Sequence, residues 1–304
     1  MKIIFMGTPD FAVASLDALV RSGFDIVGVI TAPDKPAGRG QTIKESAVKI
    51  YAREKGLNIL QPVKLKDEIF LSELKALNAD LQVVVAFRML PEVVWNMPAL
   101  GTINLHGSLL PQYRGAAPIN WAIINGETQT GVTTFFLKHD IDTGDILFSE
   151  PVNIAPDETA GQVHDRLMKI GAELIVKTVQ AIESGDYREI PQDSFETSEL
   201  QHAPKIFKED CQIDWQKPVK QVYDRIRGLS PYPTAFAKIQ NKTLKIFRAD
   251  KEEGITEFKP GEYHTDGKTF LKFACPNGLI SVRDVQLEGK KRMKVDEFLR
   301  GVRL

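Results

Sequence analysis

Two cysteines in 304 residues, Cys211 and Cys275, leave no disulfide framework and no metal-ligand spacing. Both are expected as reduced thiols in the interior, where this residue type prefers to sit. No apolar run is long enough to span a bilayer, and "MKIIFMGTPDF" meets a turn too early for a signal peptide. The expectation is therefore a cytoplasmic protein without a membrane partner. Net charge is also scarce: 39 Lys+Arg against 40 Asp+Glu give −1, so the total names no partner. Gly-rich phosphate cradles are missing. "GTPDFA" is neither a dinucleotide fingerprint nor a P-loop, which argues against nicotinamide or ATP chemistry. No serine stands in a nucleophile-elbow pattern, which argues against a hydrolase of that type.

What is present fits a globular chain of one large or two ordinary domains, with 43% hydrophobic and 26% charged residues. The even total charge hides an asymmetry. Residues 1–205 hold 19 Lys+Arg and 26 Asp+Glu, whereas residues 206–304 hold 20 and 14. The first part is thus acidic by seven charges and the last part basic by six, a pattern suited to a polyanion meeting the end of the chain.

Short apolar runs alternate with amphipathic stretches over the first 188 residues. "KIIFMG", "DIVGVITA", "DLQVVVAF" and "GTINLH" read as buried strands. "FAVASLDALVRSG", "TIKESAVKIYAREKG", "KDEIFLSELKAL" and the long "TAGQVHDRLMKIGAELIVKTVQAIESG" read as helices, the first with Thr8 as N-cap and Pro9 at the first helical position. "GVTTFFLK" and "DILFSEPVNI" read as further strands, antiparallel at a sheet edge. This alternation predicts an α/β fold with a doubly wound, mostly parallel sheet. Residues 189–206 are polar and aperiodic and read as a linker. Residues 207–304 give one helix, "PVKQVYDRIRGLS", then short strands with turn signals at Asn241-Lys242 and Pro276-Asn277-Gly278. They predict a small β-barrel.

The densest polar stretch is "NLHGSLLPQYRGAAPINWAI" at 104–123. Asn104 and His106 are two apart, so on a strand they share a face while Leu105 points into the core. An amide and an imidazole side by side can stabilise an oxygen that gains negative charge, and His106 can move a proton near neutral pH. Downstream, "HDIDTGDIL" surrounds Gly144 with Asp140, Asp142 and Asp145. One of these carboxylates can return to orient His106. The late Glu of a calcium loop is missing, so no metal is expected.

The run "NLHGSLLPQYRGAAPINWAIINGE" followed by "TGVTTFFLKHDIDTGDIL" resembles the folate-dependent formyltransferases, and within them the branch that acts on methionyl-tRNA. The likeness extends over "FMGTPDFAV", "PDKPAGRG" and the basic C-terminal part. It implies a Rossmann-like catalytic domain over 1–188 and an OB-like, tRNA-binding barrel over 207–304, the chain acting as a monomer. It implies 10-formyltetrahydrofolate as formyl donor and the α-amine of initiator methionyl-tRNA as acceptor. By motif, the catalytic group falls on Asn104, His106 and Asp142. The folate contacts fall on Ser108, Leu109, Leu110 and Pro111, with Phe87, Arg88 and Leu90 at the pterin. Arg88 stands where a glycine is expected after the aromatic residue. Lys35, Arg39 and Lys44 in the loop "DKPAGRGQTIK" would meet the tRNA acceptor end, and Lys290, Lys291 and Arg292 its backbone. Rival readings are a formyltransferase acting on a sugar-nucleotide amine, a purine-pathway formyltransferase, a folate hydrolase of the same superfamily, and a non-catalytic RNA-binding module. "PAGRG" and the basic last domain argue against the sugar-acting one.

Overall fold

The structure is a computed structural model that describes residues 1–37, 42–195 and 199–302. Its first motif is a strand–helix–strand: β1 (Lys2–Gly7), α1 (Asp10–Arg21) and β2 (Asp25–Ile30). The cap of α1 falls one residue later than Thr8. Pro9 is the N-cap with extended backbone, because its missing N–H costs the helix nothing there. The ribbon β3 (Lys35–Ala37) and β4 (Thr42–Lys44) precedes α2 (Ala47–Glu54). The helix expected from Thr42 therefore starts only after Ser46, whose hydroxyl accepts from the Lys49 N–H. The short strand β5 (Ile59–Leu60) leads to α3 (Glu68–Ala76), capped by Asp67. Then follow β6 (Leu81–Val85), α4 (Glu92–Trp95), β7 (Thr102–His106), β8 (Arg114–Gly115), α5 (Pro118–Ile124), β9 (Gln129–Phe136), β10 (Ile146–Asn153) and α6 (Ala160–Ser184).

Seven strands form one sheet in the order β10-β9-β7-β6-β1-β2-β5. Pairs β1–β2, β1–β6, β2–β5 and β6–β7 are parallel, whereas β7–β9 is antiparallel, as the edge reading expects. The chain begins in the middle, winds out through β2 to β5, then returns to the other side of β1. That reversal creates a crevice beyond the carboxyl ends of β1 and β6, the place where open α/β sheets bind ligands. β6 is buried at every position, as a strand covered on both faces must be. On one face Ile4, Met6, Ile30 and Val84 pack with Phe70, Leu74 and Val94. Complete burial of each such side chain stabilises the fold by roughly 1.5–3 kcal/mol. On β7, Leu105 meets the helix α6: a Cβ on Gly171 would lie 2.7 Å from a Leu105 methyl carbon.

The chain divides into two compact units. One comprises residues 1–114, 131–152 and 164–201, and the other 115–130, 153–163 and 202–304. The second unit thus includes α5. It continues with β11 (His202–Ala203), α7 (Val219–Gly228), β12 (Ala235–Ile239), β13 (Lys242–Glu253), β14 (Tyr263–Thr265), β15 (Leu271–Cys275), β16 (Gly278–Leu287), β17 (Met293–Lys294) and α8 (Val295–Gly301). Strands β12-β13-β16-β15-β14, with β17 beside β16, make a curled antiparallel sheet of half-barrel form. Register shifts at Ile246/Arg248 and Arg248/Ala249 bend β13, as bulges do. The β12–β13 turn falls at Gln240-Asn241, both at positive φ, one residue before the predicted pair. The β15–β16 turn sits at Pro276-Asn277, and the Asn277 side chain accepts from the Val219 N–H at the start of α7. Cys211 and Cys275 are free and buried, as their composition predicts.

Candidate active site at the carboxyl ends of the sheet

The end of β7 presents Asn104 and His106, and alternation puts both opposite Leu105. Their register partners on β9 are Phe135 and Thr133. Asn104 is half-buried, and no described residue hydrogen-bonds its side chain. His106 is 6% exposed. Its Nε2 lies 2.8 Å from the Tyr113 carbonyl, which can only accept, so Nε2 carries a proton there. The other ring nitrogen, Nδ1, faces Asp142 Oδ2 at 3.7 Å. The structure therefore brings the Asn, the His and one of the three Asp residues of "HDIDTGDIL" to the same strand end. Asp145 is drawn away by Lys138 at 2.7 Å.

Asp142 reaches that position from a left-handed backbone, φ 56, which a short polar side chain tolerates better than most. Gly144, two residues on, is obligatory. A Cβ there would stand 1.5 Å from the Phe136 carbonyl oxygen.

The loop after β7 is held from below. The buried Thr133 hydroxyl donates to the Ser108 carbonyl at 2.7 Å and accepts from the Leu110 N–H at 3.2 Å. The Ser108 hydroxyl donates to the Gln112 carbonyl at 2.6 Å. Ser108, Leu110 and Pro111 are buried and Leu109 is half-buried, so this loop offers a fixed, apolar wall. Thr133 had no distinguishing signal in the sequence beyond the threonine run that contains it. At the end of β6, Leu90 is buried and Phe87 half-buried. Arg88, beside them, is exposed. Its guanidinium donates to the Val63 carbonyl at 2.9 Å and to the Pro62 carbonyl, while stacking over Phe87.

Lys35 and Lys44 are exposed and directly opposite one another in the β3–β4 ribbon. Arg39 lies outside the described residues. The foot of the ribbon is tied by Asp34, whose carboxylate takes Lys49 and Gln61. In the second unit Lys290 and Lys291 are exposed. Arg292 is committed to the fold: it grips both oxygens of Asp284, at 3.0 and 2.6 Å, and stacks 4.2 Å over Phe247. Among the described residues, no group of three His, Cys, Asp or Glu side chains is placed to hold a metal. No described helix is long and apolar enough to cross a membrane.

The family model "Formyl transferase" matches residues 1–179, and "Formyl transferase, C-terminal domain" matches 205–303. A methionyl-tRNA formyltransferase of Bacteroides fragilis is 56% identical, covering 100% of this chain and 96% of its own. One from Phocaeicola vulgatus is 57% identical with the same coverage. The fold also matches a Helicobacter canadensis N-formyltransferase solved with folinic acid and dTDP-3-aminofucose. That match has a TM-score of 0.70 at 20% identity and covers 95% of this chain and 100% of the other. At that identity the likeness is one of fold. Identity above one half along the whole chain is of another kind: the chain belongs to the methionyl-tRNA formyltransferase family.

Proposed function

We propose that this chain transfers the formyl group of 10-formyltetrahydrofolate to the α-amine of initiator methionyl-tRNA, for translation initiation. The observation that carries the reading is the meeting of Asn104, His106 and Asp142 at one strand end, with His106 Nδ1 at 3.7 Å from the carboxylate. The amine must be neutral to attack, and a reference α-amine has a pKa of about 7.7–8.0. Attack on the formyl carbon puts negative charge on the formyl oxygen. The Asn104 amide, with no described partner of its own, is the donor for that oxygen. His106 acts through Nδ1, which is unprotonated while Nε2 donates to the Tyr113 carbonyl, and so it takes up a proton rather than donating to that oxygen. The same nitrogen receives the proton leaving the amine and passes it on to the departing nitrogen, with Asp142 balancing the charge. A separation of 3.7 Å is looser than a working hydrogen bond, as sites without substrate often are. Each well-placed oxyanion donor is worth about 3–4 kcal/mol of barrier. Ser108, Leu109, Leu110 and Pro111, with Phe87, Arg88 and Leu90, line the folate side. Residues 1–188 carry the chemistry, and the basic residues 207–304 hold the tRNA backbone, with Lys35, Arg39 and Lys44 at the acceptor end.

The test is formylation by purified protein, given 10-formyltetrahydrofolate and initiator or elongator methionyl-tRNA. Rapid product on the initiator alone is the expected result. Release of tetrahydrofolate without product on either tRNA would mean that the acceptor is wrong, and sugar-nucleotide amines would be assayed next.

A further inference from the structure

One buried side chain beside this site has no role so far. Gln192 lies in a single 3-10 turn (Gln192–Ser194) after α6, in a stretch whose sequence reads as a linker. It is 4% exposed, whereas Pro191, Asp193 and Ser194 around it are exposed. A reciprocal pair of backbone hydrogen bonds between Ile190 and Ile146, both 2.9 Å, delivers it to this point. Its amide is saturated. Oε1 accepts from Arg114 twice, at 2.9 Å from Nε and 2.6 Å from Nη2. Nε2 donates to the Asp142 carbonyl and to the Gly144 carbonyl, each at 2.8 Å. A side-chain amide has two N–H donors and an oxygen with two lone pairs, so nothing is left over. The orientation is forced, because a guanidinium only donates and a carbonyl only accepts.

We infer that Gln192 is a positioning residue: it clamps the two carbonyls that flank the turn and so fixes the left-handed Asp142 with its carboxylate towards His106. The left-handed region is unfavourable for a residue with a side chain, and it persists where the surroundings over-determine it. Among the surroundings here is one glutamine that holds both carbonyls, itself aimed by Arg114. Arg114 thereby gains a function within the "PQYRG" run: it sets the direction of the Gln192 amide. Removing the amide takes the Gln192 N–H donors from both carbonyls and loosens the hold on the left-handed Asp142. Its carboxylate then leaves His106. Misplacement of a reacting group by about 1 Å can cost on the order of 10²-fold in rate.

The inference rests on Asp142 acting at the site as proposed above. The test measures steady-state formylation, with both KM values, for the unaltered protein, Asp142→Asn, Gln192→Leu, Gln192→Glu and the double variant Asp142→Asn/Gln192→Leu. Gln192→Leu is expected to lower kcat by about 10- to 100-fold, with KM for the folate donor and for tRNA changed less than about threefold. In the Asp142→Asn background the same substitution should add less than about twofold, because the group it positions is already disabled. Gln192→Glu keeps an acceptor for Arg114 but cannot donate to the carbonyls, so it should behave like the leucine. It also carries the test if the leucine variant does not fold. Losses that multiply in the double variant, or wild-type kcat in both Gln192 variants, would overturn the inference while leaving the assigned reaction standing. Undiminished turnover in Asp142→Asn alone would sink the assignment of Asp142 and the inference with it.

Discussion

Gly144→Ala tests the geometry of the aspartate turn without altering a side chain assigned to the reaction. The added Cβ would lie 1.5 Å from the Phe136 carbonyl oxygen, whereas ordinary contact begins at 3.4 Å. The obstacle is backbone, so no rotamer change relieves it, and the turn must back away by roughly 2 Å in a close-packed interior. Two hydrogen bonds go with it: Phe136 N–H to the Asp145 carbonyl at 3.1 Å, and Gln192 to the Gly144 carbonyl at 2.8 Å. At about 1 kcal/mol each, the loss of stability is about 2 kcal/mol, which thermal unfolding reads as a few degrees. The loss of activity is expected to be larger. Asp142 sits two residues upstream and must move with the turn, so kcat should fall on the order of 10²-fold. Formylation by the purified variant at a temperature well below its unfolding midpoint separates the two effects. Gly301→Ala serves as control, since nothing lies within 4 Å of its added carbon and its φ is not positive. Turnover of Gly144→Ala within about threefold of the unaltered protein, with the fold intact, would refute the claim that catalysis depends on where this turn holds Asp142.

Four further outcomes are expected. His106→Ala should lower turnover by at least about 10²-fold and cost roughly 2–4 kcal/mol of stability, because it empties a buried site and removes a donor from the Tyr113 carbonyl; parallel kinetics and thermal unfolding check this, and near-normal turnover in the folded variant would exclude His106 from the reaction. Lys290→Ala and Lys291→Ala should each weaken tRNA binding and lower the salt slope of log Kd by about 1, read from binding at several salt concentrations, whereas Arg292→Ala should show mainly as a lower unfolding midpoint. Lys49 first, then Gln61, hold the Asp34 carboxyl below its usual range, so its contribution to stability is present above the ordinary carboxylate pKa and is lost as pH falls through the folded value. Asp34→Asn should flatten that acid limb in pH-dependent denaturation. Burial pushes the Cys275 thiol up to about 11, so at pH near 8 a thiol reagent should leave it unlabelled until denaturant is added; counting labelled thiols by mass decides it.

Much of the sheet was legible because buried parallel strands write themselves as apolar runs. "KIIFM" and "LQVVV" give β1 and β6 directly, and the two-residue spacing of Asn104 and His106 gives their common face. Other features depend on partners far away in sequence. The left-handed φ of Asp142 depends in part on a residue 50 positions later, which no local pattern marks. Gln192 is a lone amide in a polar stretch, and nothing in its neighbours marks it as buried. The start of α2 was misplaced because Thr42–Lys44 continues the helical pattern while pairing across a ribbon instead. Arg88, read as a residue of the pterin site, has side-chain partners at positions 62 and 63 that no spacing rule would indicate.

The interleaving of the two units also sets a timetable. Asn120 of α5 donates to the carbonyl of Gly228, 108 residues later, and a Cβ on Gly228 would collide with Ile124. A chain emerging from the ribosome at about 5–20 residues per second makes α5 some 5 to 20 seconds before its partner helix exists. Over that interval Ile124, which packs on the core built by later residues, lacks that native cover. The nascent chain should therefore be most exposed to chaperones and proteases while residues 125–228 are being made, and a ribosome-bound chain stalled in that window should be cleaved near α5 far faster than the released protein.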